Sequence, residues 1–454
     1  MSLSIIILAA GKGTRMKSSK SKILHCVAGK PILQHVLDTA FSLKPEEVVV
    51  VYGHDAEQVR NHFREWSLTW VEQAEQLGTG HAVAQALPHV NKNNKVLVLY
   101  ADVPLVDVNT LKPLLELQKD QLSLLSVKLD NPTGYGRIIR NQENQFLEIV
   151  EHKDASNEQL EINEVNTGIL AGYYADLKKF IDNLSNDNVQ KEYYLTDIFA
   201  NAVKENILVK TMLADKPIEV EGINNRKQLA SIERYYQQKR ADQLMENGVT
   251  LLDPSRLDIR GNVTIENDVT IDINVILEGD VKIGQGCQIG ANTSISDSVI
   301  ESNTQIFANC VIENSLIKSG CRIGPFARIR PDSELNENVH IGNFVEIKKS
   351  VVKTKSKINH LSYIGDSEVG SQVNIGAGTI TCNYDGANKY KTTIGDNAFI
   401  GSCTQMVAPV TIGEGATIGA GSTITTDAPE HKLTISRAKQ RSIEGWQRPV
   451  KKTK

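Results

Sequence analysis

The sequence predicts two folds in one chain: an α/β domain over residues 1–225 and a parallel β-coil domain with a C-terminal tail over 249–454. A connecting helix over 226–248 separates them. Three observations predict this. Short apolar runs alternate with helix-period stretches in the first half; one long polar helix follows; aliphatic side chains then recur every six residues.

In the first half, Ile5–Leu8, Val48–Tyr52, Lys95–Tyr100 and Leu122–Val127 are strand-length apolar runs, with helix-period stretches at Ile32–Ser42 and Gly80–Leu87 between them. Strand and helix in alternation imply a mostly parallel sheet covered on both faces, with ligands at the carboxyl ends of the strands. From Asn225 to Asn247 only a narrow stripe is apolar (Leu229, Ile232, Tyr236, Leu244), which suits a connecting arm, and Gly248 is its expected stop.

Beyond it, Ile265, Ile271, Leu277, Ile283, Ile289 and Ile295 fall at sixes; so do Ile317, Ile323, Ile329, Leu335, Ile341 and Ile347, and again Ile394, Ile400, Met406, Ile412, Ile418 and Ile424. The frame slips by one at Ile295 to Ile300, Ile312 to Ile317, Ile347 to Val352 and Ile364 to Val369. A flat-sided coil has this period, each side giving one inward aliphatic residue, and stacked coils bury a common core. Glycine often follows the aliphatic (Gly284, Gly290, Gly324, Gly342, Gly395, Gly401, Gly413, Gly419), which we take to mark corners with unusual backbone angles. Cys287, Cys310 and Cys321 lie four places after an inward isoleucine and are expected to be core residues. The polar stretch Cys382–Lys389 breaks the rhythm and is expected to be a loop thrown out from the coil.

Composition narrows the function classes. With 454 residues, two or three domains are expected, and a net charge of −4 supplies no basic field for nucleic acid or anionic membrane. No run reaches membrane-span length, and the apolar start lacks both a basic stretch before it and a cleavage-like site after it. Six cysteines without a CxxC pair argue against zinc and disulfides, and suit a reducing cytoplasm.

The segment Leu8-Ala9-Ala10-Gly11-Lys12-Gly13-Thr14-Arg15-Met16 follows the first strand. Its glycines let backbone N–H groups approach phosphate oxygens, while Arg15 and Lys22 supply positive charge. The extended pattern resembles the signature of sugar-nucleotide pyrophosphorylases, a Rossmann-like α/β family, although Ser21 stands where that signature has proline. The resemblance continues in chain order. Gln73 and the segment Glu75-Gln76-Leu77-Gly78-Thr79-Gly80 are similar to a base-reading element, and Tyr100-Ala101-Asp102 to a Tyr-Gly-Asp metal element. Gly134-Tyr135-Gly136-Arg137, Ile149-Val150-Glu151 and Val165-Asn166-Thr167-Gly168 are similar to acceptor-sugar segments, and Glu219 through Asn225 to one whose first asparagine shares the metal. The resemblance implies nucleotide and sugar contacts from Leu8, Ala9, Gly11, Gly13, Arg15, Lys22, Gln73, Gln76, Gly78, Thr79, Tyr100, Ala101, Asp102, Gly136, Glu151, Asn166 and Asn224, with Asp102 and Asn224 holding Mg²⁺.

The second half resembles the hexapeptide-repeat acyltransferases, which are left-handed parallel β-helices. The whole chain resembles the bacterial bifunctional enzymes that acetylate glucosamine-1-phosphate with acetyl-coenzyme A and then uridylylate the product with UTP, giving UDP-N-acetylglucosamine for cell-wall polymers. Gly324-Pro325-Phe326-Ala327-Arg328, Gly342 through Lys349 and Ile375 through Gly386 carry that likeness. It implies His360 as general base, Arg330, Lys348, Tyr363 and Asn374 on the sugar phosphate, and Ala377, Asn383, Tyr384, Ser402, Ala420 and Arg437 along acetyl-CoA. It also implies a cyclic homotrimer. Cys403 stands where the family usually has aspartate, and the tail from Lys439 through Lys451, Lys452 and Lys454 is basic enough to meet coenzyme phosphates or simply to be solvated. Two other functions compete: a single-activity pyrophosphorylase with a structural coil, and a non-catalytic assembly protein. His360 with the Asn383–Gly386 loop argues against the first, and the glycine loop with Asp102 against the second.

Overall fold

The computed structural model describes residues 2–11, 13–53, 56–116, 118 and 121–451, so Lys12, Lys452 and Lys454 lie outside the described residues. The chain forms two compact units, Met1–Tyr236 and Gln237–Lys454.

The first unit is built on a sheet ordered Leu208–Leu213, Gln121–Lys128, Glu164–Tyr173, Lys95–Tyr100, Leu3–Ala9, Glu47–Tyr52, Thr69–Glu72. Its strands are parallel except Glu164–Tyr173, which runs against both neighbours. The hairpin Arg137–Arg140 with Phe146–Val150 branches off the interior strand Glu164–Tyr173 through Val165↔Arg137. Ile5, Ile6 and Ile7 are all buried because both faces of this central strand are covered, which is why it reads as a continuous apolar run rather than an alternation. The chain leaves the first strand to one side and returns for Lys95–Tyr100 on the other. That reversal opens a crevice at the carboxyl ends of these two strands.

The helix Arg226–Glu246 begins in this unit, where Ile232 packs with Met16, Val27, Ile32 and Ile223. Its second half belongs to the other unit. There Gln237 exchanges two 2.8 Å hydrogen bonds with the backbone of Ile259, and Leu244 enters the core. Gly248 follows the helix at φ 89, the left-handed conformation a helix stop favours.

The second unit is a left-handed parallel β-helix of hexapeptide repeats. One face is an 11-stranded sheet; the other two form a 17-stranded sheet in which each coil contributes two strands. Ile271, Ile289, Ile306, Ile323, Ile341, Ile358 and Ile375 stack in register one coil apart, and every one is at most 3 % exposed. Cys287, Cys310 and Cys321 are fully buried in the same core, and burial pushes the Cys321 thiol up to about 12. At the four places where the frame slips, the shortened corner turns on one left-handed residue: Asp297, Asn314, Lys349 or Asp366, at φ 39 to 48.

The glycine expectation needs correction. Of the eight glycines after an inward aliphatic, only Gly324 has positive φ. The others are small because the next coil passes close: a Cβ on Gly284, Gly290, Gly395, Gly401 or Gly413 would lie 2.5 to 2.7 Å from a backbone nitrogen. Corner angles fall instead to residues such as Asn274, Asn292, Asn303, Asn309, Asn338 and Asn397, at φ 57 to 61. The thrown-out segment also differs in detail. Cys382 ends a strand, Thr381 takes the inward place with its hydroxyl bonded to Gly365, and the excursion starts at Asn383. Ile400 therefore stacks on Ile375 although 25 residues separate them, where other coils use 17 or 18.

Candidate active sites

In the first unit a cavity of about 340 Å³ fills the crevice at the strand-order reversal. Among the expected residues Leu8, Ala9, Gly11, Lys22, Gln73, Gln76, Gly78, Thr79, Tyr100, Ala101 and Asp102 line it. A neighbouring cavity of about 310 Å³ continues past Gly13 and the serines 18, 19 and 21. Gly13 sits at φ 59, and a Cβ there would come within 2.8 Å of the Lys22 Cβ, so loop and lysine are packed together.

Four polar side chains meet at the mouth. Lys22 Nζ donates to Asp102 Oδ2 (2.5 Å) and lies 3.4 Å from Asn224 Oδ1; Arg15 Nη2 donates to that same Asn224 oxygen at 2.9 Å. Lys22 and Asp102 are 11 % and 19 % exposed, so each carries its counter-charge in a largely desolvated place. Ala101 is buried and donates its N–H to Leu8 O (3.0 Å), which ties the Asp102 turn to the end of the first strand. No cluster of three or more His, Cys, Asp or Glu is placed to hold a metal among the described residues.

The base-side residues are held by the protein itself. Gln76 Nε2 donates to Ala10 O (2.6 Å), and Gln73 Nε2 to Gly78 O (3.0 Å). Gly78 at φ 107 lies 2.7 Å, measured from an ideal Cβ, from Tyr193 O, and Gly80 N donates to that carbonyl at 2.8 Å. The segment Glu192–Thr196, absent from the candidate residues, thus clamps the base side. Glu192 lines the cavity and Thr196 Oγ1 donates to Glu151 Oε1 at 3.0 Å. A pair of tyrosines, Tyr193-Tyr194, in an aromatic-poor chain was the available signal.

Burial pushes the Glu151 carboxyl above its ordinary range, against the lowering effect of Thr196. It also raises the Tyr100 hydroxyl, with Asp102 and Glu151 adding to the effect. Gly136 is buried with an ideal Cβ 3.4 Å from Glu151 Oε1, and Asn166 N donates to Gly136 O (2.9 Å), which brings these three acceptor-side residues together. Asn166 Oδ1 meanwhile caps Gly168 N at 3.0 Å. Arg137, in the same motif, is buried and donates to the carbonyls of Pro132 and Tyr135, so it holds the turn rather than facing a ligand.

In the second unit, His360 is exposed just before a corner turned by Leu361 (φ 47). One coil back is Asn343, whose Oδ1 lies 3.0 Å from His360 Nδ1. The equivalent corners of the next three coils turn on Gly378, Cys403 and Gly421 (φ 72, 58 and 73), each preceded by one of Ala377, Ser402 and Ala420. Cys403 N donates to Ala377 O, Gly421 N to Ser402 O, and Arg437 Nη1 to Ala420 O (2.7, 2.8 and 2.8 Å). His360 therefore heads a single file of Ala377, Ser402, Ala420 and Arg437. Cys403 is exposed at its corner and does not point into the core.

Around that corner, Arg330 and Lys348 occupy successive coils of the larger sheet. Arg330 Nη1 donates to Glu346 Oε1 at 2.8 Å, and Lys348 Nζ lies 3.9 Å from Asp366. An ideal Cβ on Gly365 would be 2.4 Å from the Tyr363 hydroxyl, so the ring lies across that glycine. Asp366 Oδ2 also accepts from Asn383 Nδ2 (2.5 Å), and Lys391 reaches Glu368 at 2.8 Å, so two acidic residues root the excursion. Asn383 is buried, with its backbone N–H donating to Thr381 O (3.0 Å), whereas Tyr384 beside it is exposed. Asn374 sits on the 11-stranded face, apart from Arg330, Lys348 and Tyr363 on the larger sheet.

A MobA-like NTP transferase domain model matches residues 5–146, and a GMPPB C-terminal domain model matches residues 259–337. A bacterial transferase hexapeptide model of six repeats matches residues 391–426. The bifunctional protein GlmU of Azoarcus sp. (strain BH72) is 53 % identical over 450 residues, covering 99 % of this chain and 100 % of that protein. The chain belongs to the bifunctional GlmU family. It is an enzyme, a transferase. Among solved structures, a nucleotidyl transferase from Methanothermobacter thermautotroptrophicus is similar at 17 % identity and TM-score 0.40, over 52 % of this chain and 99 % of that one. GlmU relatives thus span both units, whereas each family model spans one.

Proposed function

We propose that the two sites divide the work of a GlmU chain between them. The chain is a bifunctional transferase of UDP-N-acetylglucosamine synthesis: acetyl-CoA acetylates glucosamine-1-phosphate, and UTP then uridylylates the product with release of pyrophosphate. The observation that carries the residue assignment is the single file in which His360 is followed by Ala377, Ser402 and Ala420. Three coil steps of about 4.8 Å give a track of roughly 14 Å along which an extended pantetheine arm fits, with its thioester beside the imidazole.

An amide oxygen only accepts hydrogen bonds, so His360 Nδ1–H donates to Asn343 Oδ1, which keeps the proton on Nδ1 and leaves Nε2 as the basic nitrogen. As the sugar amine attacks the thioester carbonyl, Nε2 accepts the proton the amine sheds; the C–S bond then breaks and the imidazolium returns that proton to the departing sulfur, so coenzyme A leaves as the thiol and the base is restored. Arg330 and Lys348 hold the sugar phosphate, with Tyr363 beside them. Asn374 lies on another face of the same prism, which supports a site completed by neighbouring subunits of a homotrimer.

In the first unit, a sugar-1-phosphate oxygen attacks the α-phosphorus of UTP in line with departing pyrophosphate. The nucleophile is already anionic, so positioning and charge neutralisation suffice. Glu151, Gly136 and Asn166 place the acceptor sugar, Gln73, Gln76, Gly78 and Thr79 the base, and Gly11, Gly13, Arg15 and Lys22 the phosphates. The residues fit Mg²⁺: oxygens of Asp102 and Asn224 already converge on one positive centre, the Lys22 ammonium, and Mg²⁺ takes only one or two protein oxygens alongside water and phosphate. When bound, Mg²⁺ neutralises charge building on the phosphates. A cytoplasmic setting suits these substrates.

The test is a double dissociation. His360→Ala lowers acetyl transfer by roughly 10²- to 10⁴-fold and leaves uridylyl transfer unchanged, while Asp102→Ala does the reverse. Loss of both activities in either folded variant would refute separate sites.

A further inference from the structure

We propose that Lys22 is the resident counter-ion of the metal position: its ammonium holds Asp102 and Asn224 until nucleotide and divalent cation arrive together, and then exchanges onto phosphate. The inference rests on the assignment of Asp102 and Asn224 to the metal.

The geometry supports an exchange rather than a fixed salt bridge. Lys22 Nζ contacts Asp102 Oδ2 at 2.5 Å and Asn224 Oδ1 at 3.4 Å, the same two side chains that would ligate the cation. Arg15, the other phosphate-loop base, is tied at 2.9 Å to that Asn224 oxygen. Both cations that should meet triphosphate are therefore engaged with the metal ligands. An incoming complex of triphosphate and divalent cation satisfies all four groups in one change of partners: anionic phosphate for Lys22 and Arg15, the metal for Asp102 and Asn224. Either component alone leaves a charge unpaired. Triphosphate without metal strips Asp102 of its counter-ion in a site only 19 % exposed, and metal without triphosphate strands the Lys22 ammonium at 11 % exposure. The Lys22 stem packs against Gly13, so the ammonium can swing toward the loop while its base stays anchored.

The consequence is that Lys22 competes with metal when no nucleotide is present. Mn²⁺ binding, read by the electron paramagnetic resonance of free ion, measures this without turnover. In the nucleotide-free full-length protein, Lys22→Met and Lys22→Gln should bind Mn²⁺ at least about tenfold more tightly than the parent, since a unit charge in contact with both ligands is removed. Arg15→Met removes a like charge that touches Asn224 but not Asp102, and sets the size of the general field effect, which the Lys22 variants must exceed. Asp102→Ala examines the underlying assignment: if it binds Mn²⁺ with UTP as well as the parent does, the metal site lies elsewhere. If Asp102→Ala loses Mn²⁺ while both Lys22 variants match the parent or Arg15→Met, the exchange is overturned and the assignment survives. Should the variants not fold, a crystal structure of the parent with UTP and a divalent cation decides. Lys22 Nζ within about 3.2 Å of a phosphate oxygen and away from Asp102 supports the exchange, and an intact Lys22–Asp102 contact overturns it.

Discussion

Replacing Gly342 with alanine should damage acetyl transfer far more than it damages the fold. An ideal Cβ on Gly342 lies 1.9 Å from the Asn359 carbonyl oxygen, 2.6 Å from its carbon and 2.7 Å from its Cα, against 3.4 Å for ordinary contact. About 1.5 Å of separation has to open, and the obstacle is backbone, which cannot rotate aside. Overpacking of this kind costs ~1–3 kcal/mol. Asn359 precedes His360, and the neighbour of Gly342 on the other side is Asn343, the imidazole's partner. The displacement therefore falls on the His360–Asn343 pair, and ~1 Å of misplacement at a reacting group costs about 10²-fold. Gly290→Ala supplies the contrast, because its Cβ meets Ala308 N at 2.6 Å in a coil three turns from His360. Thermal unfolding and separate assays of the two activities on both variants give the answer. Both should lose stability, but only Gly342→Ala should lose acetyl transfer, with uridylyl transfer intact in each. Equal acetyl activity in the two folded variants would refute the argument that coil spacing sets the position of the base.

Other expectations are as direct. Burial raises the Glu151 carboxyl, so the folded protein holds a proton there that the unfolded chain releases above about pH 4.5; stability contributed by this site falls as pH climbs through the folded value. Glu151→Gln should flatten that decline in urea midpoints measured from pH 5 to 8, and an unchanged slope would count against it. Asp366→Ala leaves the Asn383 amide and Lys348 without their shared acceptor. At ~1.5–3 kcal/mol for a charge-assisted hydrogen bond, acetyl-transfer kcat/KM should drop about 10- to 100-fold, and a change under twofold would show that Asp366 roots nothing the reaction needs. Thiol labelling of the native protein, mapped by mass, should find Cys26 and Cys403 quickly and leave Cys287, Cys310 and Cys321 untouched until unfolding; early labelling of the last three would contradict their place in the core.

The β-helix was legible because its period is dictated by a single requirement, one inward side chain per face, and the stacked isoleucines carry that requirement openly. The glycines misled because two different pressures select the same residue. Positive φ can be met by Asn or Asp, as at Asn292 and Asn309, whereas a coil passing 2.6 Å away at Gly290 admits no side chain at all. The phosphate loop and Asp102 could be found since they sit at strand ends, where neighbours in sequence are neighbours in the site. The clamp formed by Tyr193 and Thr196 could not, because its partners Gly80 and Glu151 are far away in sequence and its contacts run partly through backbone carbonyls. The burial of Asn383 was hidden for a related reason: a polar residue in a polar stretch reads as exposed, and the Asp366 carboxylate that accepts from its amide lies 17 residues away.

The 25-residue coil that carries Ile375 onto Ile400 has a wider meaning. The extra length leaves through one corner and returns to it, so the stack above and below never registers that it exists. Such a corner is a port at which chain length is free, and the Asp366 and Glu368 anchors are what distinguish a tethered appendage from a dangling one. Grafting a foreign hairpin at a different corner, with an acidic residue set on the coil beneath, would furnish this scaffold with a new arm while the column of isoleucines stayed in step.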